Sequence, residues 1–159
     1  MRRETRSRRF WLRAATVCSV TPALCLAHRP SNAQPADTPI AQPASAGPQA
    51  FMDRAFEMRR RAEAQGDQGF GAVVVHDGKI VGQAPSAVMT RGDPTAHAEI
   101  EAIRDAARRR GQRNLSGCTL YSSFRPCAMC EAAAYWAGID RMIHGTGLSD
   151  AGAPRLGRC

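Results

Sequence analysis

The sequence of 159 residues lacks an apolar run long enough to span a bilayer, an internal repeat, and a strong charge imbalance outside its first 33 residues. Its apolar N-terminal stretch, residues 14–27, is shorter than a membrane-spanning helix and is interrupted by Pro22. These absences argue against a membrane span in the mature chain and against a repeat architecture. The length fits one compact domain and is too short for two.

The net charge of +8 is distributed unevenly along the chain. Residues 1–33 contain seven arginines and one acidic residue, whereas the remaining residues contain 15 basic and 13 acidic side chains. The basic excess therefore lies mostly at the N-terminus, and the rest of the chain carries only +2. We do not expect a nucleic-acid partner, because such partners usually require a strongly basic surface.

The N-terminus has the organisation of an export signal. Charged residues 1–13 precede the apolar stretch, and the small-x-small sequence of residues 31–33 ends it. Residues 7–13, Ser-Arg-Arg-Phe-Trp-Leu-Arg, resemble the twin-arginine export motif. We predict a signal peptide over residues 1–33 and export, most simply to the periplasm by the twin-arginine route. An ordinary secretory leader or an amphipathic anchor is the alternative.

The amino-acid composition distinguishes a linker segment, residues 34–49, from a folded domain that follows it. Residues 34–49 are rich in Ala, Pro, Gln and Ser and show no periodic apolar pattern. We predict a flexible linker there and a folded domain over residues 50–159.

The domain alternates helical and extended patterns. Helices are predicted over about 51–64, after Asp93-Pro94, and over about 127–137; strands are predicted over 71–75, 80–82, 118–121 and 141–145. A turn at Asp77-Gly78 joins the first two strands into a hairpin. This order predicts an α/β fold, a three-layer α/β/α sandwich with a mixed sheet.

Three side chains are candidate metal ligands: His97, Cys127 and Cys130. Spacing of i and i+3 on a helix places both sulfurs on one face, which suits tetrahedral zinc. Pro126 favours a helix start at that point, where the helix dipole stabilises the thiolate form that binds metal. His97 similarly follows the Asp93-Pro94 pair near the start of its own predicted helix. We predict one zinc ion per chain at these three ligands.

Glu99 lies two residues after His97 and is the candidate catalytic residue. Three protein ligands leave a fourth position for water, as in catalytic zinc sites. A carboxylate beside that position can move protons between the water and a substrate nitrogen. His-x-Glu followed by Pro-Cys-x-x-Cys is a signature of zinc-dependent deaminases.

Two other interpretations of these residues stay open. Cys127 and Cys130 alone also fit a disulfide or a redox-active pair in an exported protein. A structural zinc site would need a fourth ligand, for which His76, Cys118 and His144 are available.

Beyond the zinc signature, the chain resembles bacterial guanine deaminases and the nucleoside deaminases grouped with them in the cytidine-deaminase-like superfamily. The resemblance covers about residues 51–147 and is carried by residues 71–75, 93–99, 115–121, 126–130 and 135–137. It implies a homodimer and a small nucleobase-like substrate, a guanine-type purine, that loses ammonia by attack at its amino-bearing carbon. For this chain it places Phe70, Ser86 and Ala98 at the substrate.

Several residues depart from that pattern. Ser86 stands where these proteins usually have Asn, and Arg125 stands where they usually have Glu. The segment ending at Cys159 does not resemble the helix and tail that close their purine pocket. Two alternatives follow: a catalytically degenerate zinc-binding protein of this fold, or a deaminase of adenosine in tRNA or nucleosides. Glu99 favours an enzyme, because a protein that only binds zinc needs no proton-transfer group.

Overall fold

The structure is a computed structural model that describes residues 38–156. The predicted signal peptide, residues 1–33, and the first part of the predicted linker lie outside this range. Along the described range the chain forms, in order, α1 (Pro48–Ala64), β1 (Gly71–His76), β2 (Lys79–Pro85), α2 (Val88–Arg91), α3 (Ala98–Arg110), β3 (Cys118–Ser122), α4 (Ala128–Ala137), β4 (Arg141–His144) and β5 (Ser149–Gly152). Within it, no helix combines the length and the apolar character needed to cross a bilayer.

The five strands form one mixed sheet in the order β2-β1-β3-β4-β5. Only β3 and β4 run parallel, and the other neighbouring pairs are antiparallel. The predicted hairpin joins β1 to β2, where Asp77 and Gly78 have φ of 48° and 71°. Two consecutive positive φ values are those of a type I′ turn, which matches the twist of the flanking strands.

Helices cover both faces of the sheet, because successive strand residues point to opposite sides. One face packs against α1 in a cluster of Phe51, Met52, Ala55, Met58, Val73, Val75, Ile80, Tyr121 and Ile143. The other packs against α3 and α4 in a cluster that includes Val74, Ala98, Ala102, Leu120, Ala134 and Met142. These layers confirm the predicted α/β sandwich.

Close packing on both faces depends on glycine at two strand positions. A Cβ on Gly71 would lie 2.2 Å from the backbone oxygen of Ala55 in α1. A Cβ on Gly82 would lie 2.6 Å from the backbone oxygen of Ala102 in α3. Each distance is far below van der Waals contact, so a larger residue would push the helix off the sheet.

Two elements, α2 and β5, were not predicted. α2 is a single turn without a buried residue, and β5 is mostly exposed, so neither carries an apolar period that sequence analysis could detect.

The predicted cap of the second helix, Asp93-Pro94, is wrong. The Asp93 carboxylate accepts hydrogen bonds from the backbone N–H and the hydroxyl of Thr95, at 2.8 and 2.7 Å, and forms a local turn. The helix α3 begins at Ala98, with His97 in the extended conformation as its N-cap residue. The local turn therefore competes successfully with helix capping at Asp93.

Part of the segment predicted as a flexible linker, residues 34–49, is ordered against the domain in the structure. α1 begins at Pro48 rather than near residue 50. The side-chain amide of Gln42 donates to the carbonyl of Ile80 and accepts from its N–H, at 3.0 and 2.8 Å. Ile40 also packs against the α1-side cluster. The composition of this segment did not predict the hydrogen bonds between the Gln42 side chain and β2.

Candidate metal centre

Two helix starts converge at the candidate site. His97 is the N-cap residue of α3, and its carbonyl accepts the Glu101 N–H at 3.0 Å. Cys127 is the N-cap residue of α4, and its carbonyl accepts the Glu131 N–H at 2.9 Å. Cys130 follows one turn later, so both helix N-termini direct their dipoles towards the same group of side chains.

The three predicted ligands lie together. Nδ1 of His97 is 3.7 Å from Sγ of Cys127 and 3.5 Å from Sγ of Cys130. The two sulfurs are 3.6 Å apart. Among residues 38–156, these three form the group of His, Cys and acidic side chains able to hold a metal ion.

These distances fit one tetrahedral zinc ion. Zinc lies about 2.3 Å from thiolate sulfur and about 2.0 Å from imidazole nitrogen, so tetrahedral ligands lie about 3.8 Å (sulfur to sulfur) and about 3.5 Å (sulfur to nitrogen) apart. The separations between the side chains of His97, Cys127 and Cys130 differ from these values by about 0.2 Å or less. The soft sulfur donors also favour zinc over magnesium or calcium.

Cys130 is the most strongly perturbed titratable group of the site. Burial, with the negative charges of Glu99 and Cys127 as further causes, holds the pKa of its thiol far above the ordinary value. Without a cation, Cys130 therefore stays a neutral thiol. A divalent ion supplies the positive charge that its thiolate needs in this position.

Glu99 lies beside the three ligands, buried at the first turn of α3. Its Oε1 accepts a hydrogen bond of 2.9 Å from the hydroxyl of Ser122, the last residue of β3. Its Oε2 lies 3.5 Å from Sγ of Cys130. One carboxylate oxygen is thus held by the sheet while the other faces the ligand group.

The geometry bears on two of the alternatives, a disulfide between the two cysteines and a structural zinc site with a fourth ligand. A disulfide requires about 2.05 Å between sulfurs, and the observed 3.6 Å leaves Cys127 and Cys130 as free thiols. None of the candidate fourth ligands belongs to the group within the described part of the chain. Cys118 lies in the core, and His76 pairs with Asp77 at 3.0 Å.

Ser86, a predicted substrate contact, is only 1% exposed. Its hydroxyl donates to Oδ1 of Asp67 at 2.8 Å, and its N–H donates to the carbonyl of Phe70 at 3.0 Å. Asp67 also accepts the N–H and hydroxyl of Thr90. Although burial acts to raise the pKa of Asp67, these hydrogen bonds lower it overall. Ser86 therefore belongs to a buried network that fixes the chain before α2.

The other two predicted substrate contacts are placed differently. The methyl group of Ala98 is buried in the core between α3 and the sheet, so its backbone alone remains for a substrate. Phe70 is partly exposed, and its ring lies 6.1 Å from that of Phe124, at an interplanar angle of 58°. The backbone N–H of Phe124 lies 3.5 Å from the hydroxyl oxygen of Ser122, which contacts Glu99, so the chain at Phe124 passes close to the candidate site.

The roles of Ser122 and Asp67 were not predicted from the sequence. Ser122 lies 23 residues from its partner Glu99, and Asp67 lies 19 residues from Ser86. A serine at a strand end and an aspartate in a turn are both common. Their residue types and positions in the sequence therefore could not identify their hydrogen-bond partners.

A family model described as the cytidine and deoxycytidylate deaminase zinc-binding region matches residues 46–146. Guanine deaminase of Bacillus subtilis is 41% identical over 102 residues, which are 64% of this chain and 65% of that protein. The tRNA-specific adenosine deaminase of Aquifex aeolicus is 38% identical over 97 residues, which are 61% of this chain and 64% of that protein. The chain therefore spans slightly less than two thirds of the length of these relatives.

A solved structure gives the same result at the level of fold. The X-ray structure of guanine deaminase from Bacillus subtilis superposes with a TM-score of 0.58 at 41% sequence identity, covering 60% of this chain and 61% of the other. The range matched by the family model, residues 46–146, includes both helix starts and all three side chains of the ligand group.

Proposed function

Because the chain belongs to the cytidine and deoxycytidylate deaminase zinc-binding family, we propose that it is a zinc-dependent hydrolase that deaminates an amino-substituted, nucleobase-like heterocycle. A guanine-type purine is the first candidate substrate. The observation that carries the proposal is the spacing of His97, Cys127 and Cys130 at zinc-ligand distances, with the carboxylate of Glu99 beside them.

We assign one zinc ion per chain to these three side chains. Zinc bound there supplies a Lewis acid that makes water a nucleophile near neutral pH. The donor set fits this role, because three protein ligands leave one tetrahedral position for solvent or substrate.

Glu99 is the group that moves protons. Its Oε2 accepts a proton from the attacking water, whose oxygen forms a bond to the amino-bearing carbon of the ring. The same carboxyl group then donates a proton to the amino nitrogen, and the carbon–nitrogen bond breaks to release ammonia. One water is consumed, its second proton passes from the added hydroxyl to the adjacent ring nitrogen as the carbonyl forms, and Glu99 returns to its carboxylate form.

Ser122 and the aromatic pair assist this reaction in different ways. The hydroxyl of Ser122 fixes Oε1 of Glu99, so that Oε2 keeps its direction through both proton transfers. Phe70 and Phe124 offer apolar ring surface beside the site, which suits a planar heterocycle.

A tRNA-adenosine substrate is the second candidate, favoured by relatives of that activity at an identity close to that of the guanine deaminase. The charge of the chain argues against it. Outside residues 1–33 the net charge is only +2, whereas tRNA binding depends on a basic surface. We therefore rank a free base or nucleoside, including pterin-like rings, above a nucleic acid.

Ammonia release tests the proposal directly. Purified protein is assayed with guanine, adenine, cytosine, their nucleosides, pterins and adenosine-containing tRNA, and zinc is quantified in the same sample. We expect about one zinc per chain and turnover of one free heterocycle class. Zinc at that ratio without ammonia from any substrate would instead support a degenerate zinc-binding protein.

We also propose that the protein is a homodimer. Tyr135 and Trp136 on α4 form an edge-to-face pair with ring centroids 5.4 Å apart, and Trp136 is 76% exposed. Exposed aromatic residues are typical of protein interfaces. Sedimentation of the wild type and Trp136→Gln tests this, with a shift to monomer expected for the variant.

The proposed location is outside the cytoplasm, after twin-arginine export. Two thiols three residues apart are prone to oxidation in an oxidising compartment. Export in the folded state would carry Cys127 and Cys130 across already protected by zinc.

A further inference from the structure

Arg125 lies next to the candidate metal centre in the chain and has no acidic partner. It stands between Ser122, the last residue of β3, and Cys127, the N-cap residue of α4. Two residues span at most about 7 Å, so the backbone of Arg125 is close to the exposed ligand Cys127. The Arg125 side chain is exposed, and among residues 38–156 it has neither an ion pair nor a hydrogen bond. Its guanidinium group is therefore available to a ligand.

Most other arginines of the domain are paired with an acid, which sets Arg125 apart. Eight of them form ion pairs: Arg54, Arg59, Arg61, Arg91, Arg104, Arg108, Arg109 and Arg141. Glu131, the acid in the first turn of α4, accepts the backbone N–H of Arg155 at 3.0 Å and forms no ion pair within the described range. The charge of Arg125 thus stays uncompensated at the start of α4, where the helix dipole is also positive.

His144 lies at the same edge of the sheet. It is the last residue of β4 and the register partner of Ser122 in the parallel pair. Because side chains alternate along a strand, His144 is on the same face as Met142, the face that packs against α3 and α4. It is half-buried, and its imidazole has no hydrogen-bond or ionic partner in the part of the chain that the structure describes. The carboxyl ends of neighbouring parallel strands are a common place for ligands.

We propose that Arg125 and His144 bind an anionic group of the substrate, so that the preferred heterocycle carries a phosphate or a carboxylate. The inference rests on the proposed function for the heterocycle itself. A planar guanidinium group binds either anion through two parallel hydrogen bonds, and an imidazole N–H supplies a further donor. Phe124, the neighbour of Arg125 in the chain, pairs with Phe70 and offers apolar surface to the ring of the same compound.

Pairs of compounds that differ only in the anionic group test the proposal. Guanosine monophosphate is compared with guanosine, and carboxypterin is compared with pterin. Binding to the full-length, zinc-loaded protein is measured by calorimetry at constant ionic strength, and kcat/KM replaces it for any compound that is turned over. We expect the anionic member of at least one pair to be preferred about tenfold. The pair that discriminates identifies the group as a phosphate or a carboxylate.

Arg125→Gln should lose most of the preference while it binds guanosine and pterin as the wild type does. The side chain has no partner within the domain to lose, so the variant should fold and retain zinc, which is quantified in each preparation. Arg113→Gln is the matched control, because Arg113 is also exposed and without an ion pair. It follows the C-terminal end of α3, about 20 Å along that helix from His97. This control should keep the tenfold preference.

His144→Phe keeps a planar ring and removes both ring nitrogens, so it should reduce the preference about threefold and leave binding of the neutral compounds unchanged. Equal binding of both members by the wild type, an undiminished preference in Arg125→Gln or His144→Phe, or the same loss in Arg113→Gln would each overturn the proposal. Preferential binding of the anionic members without ammonia release would support the anion site and contradict the proposed reaction. Ammonia release from the neutral members alone would do the reverse.

Discussion

The hydroxyl of Ser122 donates a 2.9 Å hydrogen bond to Oε1 of Glu99, and the two residues are buried together between β3 and the first turn of α3. The same hydroxyl oxygen lies 3.5 Å from the N–H of Phe124. The Ser122 hydroxyl thus contacts both the backbone at Phe124 and the carboxylate that is proposed to move protons. Ser122 lies outside the ligand group, and we therefore propose that its role is to position Glu99.

Ser122→Ala should lower kcat about tenfold and leave KM and zinc content unchanged, because the variant frees Oε1 while the ligands stay in place. Steady-state kinetics with metal analysis measures this. Ser122→Thr, which keeps the hydroxyl, should recover most of the loss, and Ser116→Ala in an exposed loop is the control. A rise in KM with constant kcat would contradict a positioning role.

Glu99→Gln should retain zinc and lose turnover by at least about 100-fold, because the amide keeps the shape of the side chain but cannot carry the proton. Ammonia release and zinc content are measured on one preparation. Glu131→Gln, a carboxylate in the first turn of α4 outside the ligand group, should remain active. Full turnover by Glu99→Gln would exclude the proposed mechanism.

Cys127→Ala should lose both zinc and turnover, since two remaining ligands hold the ion poorly. Cys118→Ala is the matched control: its thiol lies in the core and outside the ligand group, so it should keep zinc at a stability cost of about 1 kcal/mol. Metal analysis after gel filtration gives the comparison. Alkylation of the wild type adds a second measurement, because Cys127 and Cys130 should react fully only after chelation.

Asp67→Asn should destabilise the protein at neutral pH, with an effect that disappears in acid. The pKa of Asp67 is lowered in the folded state, so its carboxylate stabilises the fold above the ordinary value of 3.8. That contribution is lost as the pH falls through the lowered pKa. Thermal unfolding of both proteins should therefore differ at pH 7 and converge at pH values below the lowered pKa of Asp67. Asp53→Asn on the exposed face of α1 is the control and should leave thermal unfolding at pH 7 almost unchanged.

Replacing Arg8 and Arg9 with lysines should leave the precursor in the cytoplasm if export uses the twin-arginine route. Fractionation of cells followed by immunodetection measures this. Fusing the domain to a leader for unfolded export should yield protein with little zinc, because Cys127 and Cys130 would meet an oxidising compartment before metal. Equal zinc content by both routes would count against folded export.

The layers of the fold were predictable from the sequence because they depend on local apolar patterns. Phe51, Ala55 and Met58 repeat at helical spacing, and residues 73–75 form a β-branched run buried from both sides. The hairpin turn could likewise be predicted from the Asp77-Gly78 pair, and the structure shows it as a type I′ turn. Exposed elements such as β5 carry no such pattern, which is why only the structure revealed them.

The residues of the candidate site were predictable by type and spacing, whereas their surroundings were not. His97, Cys127, Cys130 and Glu99 were named from the sequence, and the structure brings all four together. The hydrogen bond that holds Glu99 joins residues 23 positions apart, and no local pattern encodes it. The buried network of Ser86 similarly became visible only in the folded chain.

The amide of Gln42 occupies both backbone hydrogen-bonding groups of Ile80 on the outermost strand, and Asp105 takes the N–H of Gln83 on the same strand. An incoming strand from another molecule would find these groups already used. We therefore expect the segment before α1 to disfavour aggregation by sheet extension at this edge. Recombinant forms trimmed to the start of α1 would lose the Gln42 part of that protection.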